Sequence, residues 1–215
     1  MTDWIHLEQI KFPCRIGTSW AEHQREQPLE ASVHFGLDLS AAATEDLSRT
    51  IDYAQVLTQV ETIARHGGWR LLETLGMVLT RWFLLDPAAG EARGTATRVR
   101  VLLKKPEACA GRAIPVVEME RTRSENRVKQ IDLGTGAQQL IVGETQWVTV
   151  SRIDLQANRS WAPPKGSVVL QLPGVAQRNA GGALKPQRVE AELSAGADPV
   201  SWLLMHGSAV AQAAS

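Results

Sequence analysis

The sequence predicts an α+β protein: an antiparallel sheet with two helices in its first 122 residues, followed by a smaller, mostly β unit. Three patterns in the 215 residues support this prediction. Residues 29–39 alternate between apolar and polar side chains, and residues 56–83 change to helical spacing. The apolar runs after residue 123 are short and separated by glycine or proline, as in a set of short strands.

The alternation over residues 29–39 predicts a long strand that has one buried face and one wetter face. Residues 4–12 share the same period and predict its partner strand. Residues 16–28 between the two are too many for a tight turn, so we expect a loop with room for functional residues. The apolar face of the long strand would carry Leu29, Ala31, Val33, Phe35, Leu37 and Leu39.

Two helices are predicted next. Apolar residues recur at helical spacing over residues 56–64, and a Gly-Gly pair shortly after supplies residues that commonly end a helix. A second apolar stripe covers residues 71–83. Strand-like alternation then returns over residues 97–103, and residues 116–121 form a fourth predicted strand. The order β-β-α-α-β-β therefore predicts an antiparallel sheet with both helices on one face.

Residues 123–215 predict a second, small all-β domain after a first domain over residues 1–122, and a cupin-like unit is one form it could take. A polar linker over residues 122–130 leads into it. The domain contains one histidine, His206, and no tyrosine or cysteine, so we expect neither a metal site nor part of the chemistry there. Its role stays open. Its β-prone runs lie at 140–142, 147–150, 168–172 and 188–193.

The composition argues against several classes of function. Lys plus Arg and Asp plus Glu each number 23, so no basic field is present for nucleic acid. The chain shows no apolar run of membrane-spanning length and no secretory signal pattern, so we expect a cytoplasmic protein without a membrane partner. Cys14 and Cys109 are too few for a disulfide framework and are expected to be buried packing residues. The sequence shows no cluster of metal ligands, so we expect no metal and no cofactor.

Several short segments occur in a fixed order along the first half of the chain. They are Ile16-Gly17, Trp20-Ala21-Glu22, Gln27-Pro28-Leu29, Thr50-Ile51-Asp52-Tyr53-Ala54, Leu71-Leu72-Glu73, Lys104-Lys105-Pro106 and Glu120-Arg121. In this order and spacing they resemble the dihydroneopterin aldolase family, pterin enzymes of folate biosynthesis, over residues 4–122. The resemblance implies the tunnelling fold, in which subunits join their sheets into a closed barrel. It also implies a homo-oligomer, a tetramer or an octamer, with the active site at the subunit interface.

Glu73 lies at the start of the second predicted helix, where a carboxylate ordinarily complements the free N–H groups and the helix dipole. A carboxylate can also accept two adjacent hydrogen bonds from a flat heterocycle. The resemblance implies this second role, with Glu73 binding the 2-amino and ring N–H groups of a pterin. It further implies that Thr50, Ile51 and Leu72 contact the pterin through backbone groups and an apolar wall.

Lys105 follows the third predicted strand and precedes Pro106, where a lysine is ordinarily solvated, as we expect for Lys104. The family has its essential lysine directly before a proline at this point, so the resemblance selects Lys105 as the catalytic acid/base. The pterin ring can accept the electrons released by C–C cleavage. The reaction therefore needs no Schiff base on the lysine.

Tyr53 is the single tyrosine of the chain and begins the first predicted helix, where packing on the sheet is its ordinary role. Glu22 lies in the loop over residues 16–28, where a charged side chain is ordinarily solvated. The resemblance implies catalytic roles for both: Tyr53 relays a proton in a neighbouring subunit's active site, and Glu22 lies near the trihydroxypropyl group of the substrate. Val116 and Arg70 depart from the family pattern, which often has glycine and a smaller or polar residue there.

The implied activity is that of a lyase, which splits 7,8-dihydroneopterin into 6-hydroxymethyl-7,8-dihydropterin and glycolaldehyde by a retro-aldol reaction. Epimerisation at the 2′ carbon would accompany it, because cleavage and re-addition share an intermediate. Two alternatives stay open. One is an epimerase for dihydroneopterin triphosphate, which would recruit further basic residues such as Arg25, Arg70 or Arg112. The other is a pterin-binding or scaffold protein without catalysis.

Overall fold

The computed structural model describes residues 3–40, 44–88, 91, 93–134, 136–172, 185–189 and 191–207. The chain divides into two compact units, one formed by Met1–Leu85 with Gly94–Asn126 and the other by Asp86–Arg93 with Arg127–Ser215. The sequence-based boundary lay after residue 122, and the grouping of Asp86–Arg93 with the second unit was not anticipated. None of the helices in the described ranges is long and apolar enough to cross a lipid bilayer.

The first unit contains a four-stranded antiparallel sheet with the strand order β1-β2-β3-β4. Its strands are β1 Asp3–Cys14, β2 Gln27–Leu37, β3 Arg98–Lys104 and β4 Val116–Thr122. The helices in its described part are α1 Trp20–Gln24, α2 Tyr53–His66 and α3 Leu72–Phe83. The predicted α+β class and antiparallel sheet are confirmed. The loop predicted over residues 16–28 also contains the short helix α1.

The helix-facing side of this sheet forms an apolar core. Val33 pairs with Val101 and Phe35 with Val99 across β2 and β3, and all four are at most 1% exposed. Phe83 of α3 meets the Phe35 ring edge-on, with ring centroids 5.3 Å apart. Full burial of such side chains contributes about 1.5–3 kcal/mol each. This apolar layer holds α3 on the sheet.

The second face of β2 is wetter than its core face at Glu30, which is partly exposed, but the prediction fails at the centre of the strand. On that face Ser32 is 3% exposed and His34 8% exposed. The ring of His6, from β1, contacts His34 edge-on, and Arg100 of β3 lies opposite His34 in the register. Long polar side chains on the flanking strands therefore cover the centre of the sheet, as amphipathic side chains commonly do.

The second unit is mostly β, as predicted. It contains a six-stranded antiparallel sheet with the order β10-β9-β12-β7-β6-β5 and a pairing of β8 with β11. The predicted runs at 140–142, 147–150, 168–172 and 188–193 overlap strands of this unit, whereas the polar linker already contains the start of β5. The cupin-like form stays a prediction. The strands are β5 Lys129–Gly134, β6 Ala137–Glu144, β7 Val148–Leu155, β8 Ser160–Trp161, β9 Ser167–Leu172, β10 Gln187–Val189, β11 Leu193–Ser194 and β12 Val200–Gly207.

The two cysteines differ in burial. Cys14 is buried as predicted, its Sγ donates to Ala64 O at 3.1 Å, and burial raises the pKa of the thiol to about 12. The prediction for Cys109 was wrong, because this residue is exposed. It lies in the short helical turn Ala108–Gly111 with φ 54°, a surface loop that carries its side chain outside the core.

Candidate active site

Lys105 lies one residue beyond the end of β3, where its backbone N–H donates to Pro115 O at 3.2 Å. The residue is 8% exposed, so its side chain points into the protein instead of into solvent. Its Nζ donates to Ile16 O at 2.9 Å and to the Glu22 carboxylate. Because an ammonium group has three N–H donors, one donor remains for a further acceptor.

Glu22 is brought to Lys105 by the short helix α1. Ser19 Oγ accepts a hydrogen bond from the Glu22 N–H at 3.3 Å, and the Glu22 carboxylate accepts one from the Ser19 N–H at 3.0 Å. This reciprocal pair is a capping box, and its Ser-x-x-Glu spacing is readable in the sequence. The hydrogen bond from Lys105 is the largest cause that lowers the pKa of Glu22 to about 2. Glu22 is therefore ionised at neutral pH.

Gly17 fixes the base of the loop that carries α1. Its N–H donates to Trp69 O at 3.1 Å, and its neighbour Ile16 forms a parallel bridge with Trp69. Gly17 has φ +152°, and a Cβ at this position would lie 2.2 Å from the Glu22 carboxyl carbon. Glycine is therefore needed at position 17 for Glu22 to reach Lys105.

Gln27 is a member of the site to which sequence reasoning assigned no role. It is 5% exposed, and its Nε2 donates to Ile16 O at 2.6 Å. The Ile16 carbonyl thus accepts hydrogen bonds from both Gln27 and Lys105. A main-chain acceptor leaves no trace in a side-chain pattern, so the sequence could not reveal it. We call Ile16, Glu22, Gln27 and Lys105 the lysine cluster.

Trp69 connects the lysine cluster to the start of α3. Its indole Nε1 donates to Ile63 O at 2.9 Å, and α3 begins three residues later at Leu72, which is 8% exposed. Glu73 stands in the first turn of α3 and is exposed. Within the described ranges its carboxylate has neither a hydrogen-bond nor an ion-pair partner. Its oxygens are therefore available to donors on a ligand.

Tyr53 is the first residue of α2 and is 56% exposed. Just before the helix, Ile51 is buried, and Thr50 O accepts from the Gly94 N–H at 2.7 Å. Tyr53 faces an open groove of about 510 Å³ along β1. The other residues that line this groove are Trp4, Ile5, His6, Leu7, Glu8, Ile10 and Leu57.

The predicted site residues thus fall into two groups, one at each end of α2. The helix has 14 residues, so its ends are roughly 20 Å apart at about 1.5 Å per residue. Trp69, whose indole N–H donates to Ile63 O, lies near the C-terminal end of α2. The group near that end comprises Glu22, Leu72, Glu73 and Lys105, and the group at the N-terminal end comprises Thr50, Ile51 and Tyr53. The length of α2 keeps the two groups apart within one chain.

The lysine cluster and Glu73 supply complementary chemical groups. Lys105 offers a proton donor, Glu22 offers a negative charge beside it, and Glu73 offers an acceptor that the described protein leaves unpaired. Together they can bind a heterocycle with adjacent N–H groups and move a proton on its side chain. This arrangement forms a candidate acid/base site on an α+β fold.

The chain belongs to the dihydroneopterin aldolase (FolB) family, whose model matches residues 5–121. This confirms the resemblance stated from the short segments. Residues 122–215 lie outside the match. Among curated proteins no sequence matches the chain.

Solved structures with this family name also resemble the chain. A putative dihydroneopterin aldolase from Vibrio cholerae is 25% identical, with a TM-score of 0.50, and the match covers 57% of this chain and 98% of that one. The Escherichia coli dihydroneopterin aldolase, solved in complex with neopterin, is 27% identical, with coverages of 55% and 98% and a TM-score of 0.49. In both, the matched length is little more than half of this chain.

Proposed function

We propose that the protein is a dihydroneopterin aldolase that cleaves 7,8-dihydroneopterin into 6-hydroxymethyl-7,8-dihydropterin and glycolaldehyde. The observation that carries this proposal is the buried Lys105 ammonium, which Glu22 and Ile16 O hold while one N–H remains for the substrate. Membership of the FolB family supports the same reaction.

In the proposed reaction the proton of the 2′-hydroxyl leaves and the C1′–C2′ bond breaks. Glycolaldehyde departs with the new carbonyl, the C1′–C2′ electron pair forms a C6=C1′ double bond, and the C6=N5 π pair moves to N5, which takes up a proton to give an enamine. Protonation of C1′ with loss of the N5 proton then restores the C6=N5 bond and forms the hydroxymethyl product. Lys105 moves these protons directly or through a bound water, and its contact with Glu22 holds its Nζ in place.

Glu73 anchors the pterin in this proposal. Its exposed carboxylate at the first turn of α3 accepts from the 2-amino and ring N–H groups, while Leu72 forms an apolar wall. Correct orientation of the ring places the trihydroxypropyl side chain towards Glu22 and Lys105. Binding and proton transfer are therefore assigned to different residues.

Tyr53, with Thr50 and Ile51, completes the site from a neighbouring chain. The roughly 20 Å length of α2 separates Tyr53 from the lysine cluster within one chain, so a second copy is the natural source of this side chain. Strands β1 and β4 end the four-stranded sheet, and their pairing between copies would close the barrel of a tunnelling fold. The expected assembly is a tetramer or an octamer in the cytoplasm.

A triphosphate epimerase is the second candidate, since a basic side chain lies beside the loop that carries Glu22. Arg70 Nη2 donates to Thr18 O at 3.4 Å and is exposed. Arg25 is also exposed, but it pairs with Glu107 at 3.3 Å. A triphosphate would draw on such groups, whereas the uncharged side chain of dihydroneopterin would not.

Product analysis separates the candidates. The purified protein is incubated under anaerobic conditions with dihydroneopterin or with its triphosphate. The products are resolved by chromatography, and Lys105→Met serves as a control. We expect hydroxymethyldihydropterin and glycolaldehyde from dihydroneopterin, and neither from the control. Conversion of the triphosphate alone, without cleavage, would identify an epimerase instead. Pterin binding without any turnover would identify a binding protein.

A further inference from the structure

Three side chains with metal-ligating atoms meet on the face of the first sheet that points away from the helices. They are His6 and Glu8 of β1 and His34 of β2, and one ligand atom from each lies within 4.8 Å of the others. We call these three residues the histidine cluster. No cluster of metal ligands is apparent in the sequence, because 25 residues lie between Glu8 and His34 and only strand pairing joins them.

The backbone positions the cluster. His6 pairs directly with His34 across the antiparallel strands, and their rings meet edge-on with centroids 4.5 Å apart. Glu8 is two residues after His6, so its side chain lies on the same face. The register shifts between Leu7 and Ile10, a span that includes Glu8, and Gln9 has φ 57°. Bulges of this kind commonly re-aim a side chain beside a functional site.

His34 is the residue of the histidine cluster whose ring nitrogens are buried and available to bind a ligand. It is 8% exposed, and neither ring nitrogen makes a hydrogen bond to the described residues. Glu8 Oε1 lies 2.8 Å from His34 Nε2, close enough for an ion pair but off the direction that a hydrogen bond requires. Imidazole nitrogens are the commonest metal ligands in proteins.

The surroundings orient the other two ligands. The Ser32 hydroxyl, itself 3% exposed, bonds the Glu8 carboxylate and is the largest cause that lowers its pKa. Ser32 Oγ also accepts from the Gln9 N–H at 3.2 Å. The Trp4 ring stacks on His6 with centroids 6.1 Å apart. Partners of this kind around the ligands are typical of metal sites.

The positive charge of Arg100, which lies close to the histidine cluster, is balanced by two glutamates. Arg100 of β3 lies opposite His34 in the register and over the Trp4 ring at 5.6 Å. Its Nη2 is 2.7 Å from Glu120 Oε2, and Glu118 lies 3.6 Å from its Nε. The paired guanidinium therefore adds little repulsion against a cation at the histidine cluster.

We propose that His6, Glu8 and His34 bind one divalent transition-metal ion, with Zn²⁺ as the physiological occupant. Two imidazoles and one carboxylate are a ligand set that suits zinc, and three protein ligands leave the fourth tetrahedral position to water. The cluster lies apart from the lysine cluster, and the ion would join β1 to β2. His6 and Glu8 also line the groove that Tyr53 faces.

The test is metal titration of the full-length chain after treatment with a chelator and dialysis. Zn²⁺ is added in competition with a chromophoric chelator, and Co²⁺ serves as a spectroscopic probe. We expect one equivalent of Zn²⁺ per chain and the intense visible bands of four-coordinate Co²⁺. Zn²⁺ should also raise the melting temperature, since an ion that binds only the folded state stabilises it.

Variants locate the site. Glu8→Gln and His6→Ala change exposed residues, so the fold should survive, and each should abolish stoichiometric binding and the cobalt bands. Ser32→Ala should weaken binding by about 10–100-fold, as loss of an orienting partner does. His66→Ala, which removes an exposed imidazole elsewhere, should leave the affinity unchanged. The proposal is overturned if wild type binds no stoichiometric metal, if Glu8→Gln and His6→Ala bind as wild type does, or if His66→Ala loses binding equally.

Discussion

Each unit of the molecule contains a buried cation paired with a carboxylate, and the two pairs are built differently. In the second unit, Arg152 donates through Nε and Nη2 to Asp154, at 3.1 and 2.9 Å, and through Nη1 to Asp86 O. Its side chain is 6% exposed. In the first unit, Lys105 pairs with Glu22, whose side chain is 34% exposed and lies on a short loop helix.

The elements that these pairs join explain the difference. Arg152 and Asp154 lie on one strand, β7, and the arginine also donates to Asp86 O, in a segment that groups with the second unit. Lys105 joins a strand end to a loop, and loops on a rigid scaffold are where binding residues concentrate. A buried ion pair therefore indicates function only where its members remain within reach of another molecule.

The largest expected effect is on turnover. Lys105→Met should lower kcat by about 10²–10⁴-fold, because an acid/base group is lost, while the far-UV circular dichroism stays unchanged. Lys104→Met is the matched control, since Lys104 pairs with Glu30 at 2.7 Å and its side chain is 38% exposed. Steady-state kinetics with dihydroneopterin give the result. Equal losses in the two variants would remove the distinction between these neighbouring lysines.

The second effect is on stability. Arg152→Met should lower the free energy of unfolding by about 1.5–3 kcal/mol, since it removes charged hydrogen bonds to the Asp154 carboxylate, whose side chain is 25% exposed. Chemical denaturation measures this, with the exposed Arg188→Met as a control. Turnover per folded molecule should stay near that of wild type. Unchanged stability would mean that the Arg152 pair does not hold the second unit together.

Glu73 offers a third contrast, a carboxylate without a described partner. Glu73→Gln should weaken pterin binding by about 1.5–3 kcal/mol, because a charged acceptor of ligand hydrogen bonds is lost. Fluorescence titration with a pterin measures the affinity, and Glu61→Gln on α2 is the control. If Lys105→Met weakens binding as much as Glu73→Gln does, binding and proton transfer are not divided between these residues.

The smallest effect concerns pH. The pKa of Glu22 falls from 4.5 to about 2 on folding, so its stabilising contribution is complete above pH 4.5 and is lost as pH falls towards 2. Glu22→Gln should therefore be less stable than wild type above pH 4.5, and the gap should close between pH 4.5 and 2. Urea denaturation across this range measures the gap. A gap that stays constant with pH would show that the Glu22 charge does not stabilise the fold.

The sequence predicted the elements that depend on local pattern. The alternation of β2 and the apolar stripe of α3 appear in the structure because each element has one face in the core. Strand β12 escaped prediction because Trp202, Leu203 and Leu204 are all buried, so both of its faces are apolar and no alternation shows.

The candidate site was predictable only in part. Lys105 and Glu22 were found through the family's short segments, and the structure brings them into contact. The carbonyl of Ile16 and the histidine cluster were not found, because a backbone acceptor and a cross-strand pairing have no local signature. Register and loop path decide such contacts, and both depend on the whole fold.

The separation of Tyr53 from Lys105 along α2 leads to the most direct test, in which two defective chains are mixed. Lys105→Met and Tyr53→Phe are each purified, mixed, and allowed to exchange subunits, and exchange is checked by native mass spectrometry. If each site takes Lys105 from one chain and Tyr53 from another, the mixture regains turnover at about one site in four, because random assembly leaves that share intact. A mixture of Lys105→Met with the double variant should regain none. Exchanged assemblies that remain as inactive as their parents would contradict a site shared between chains.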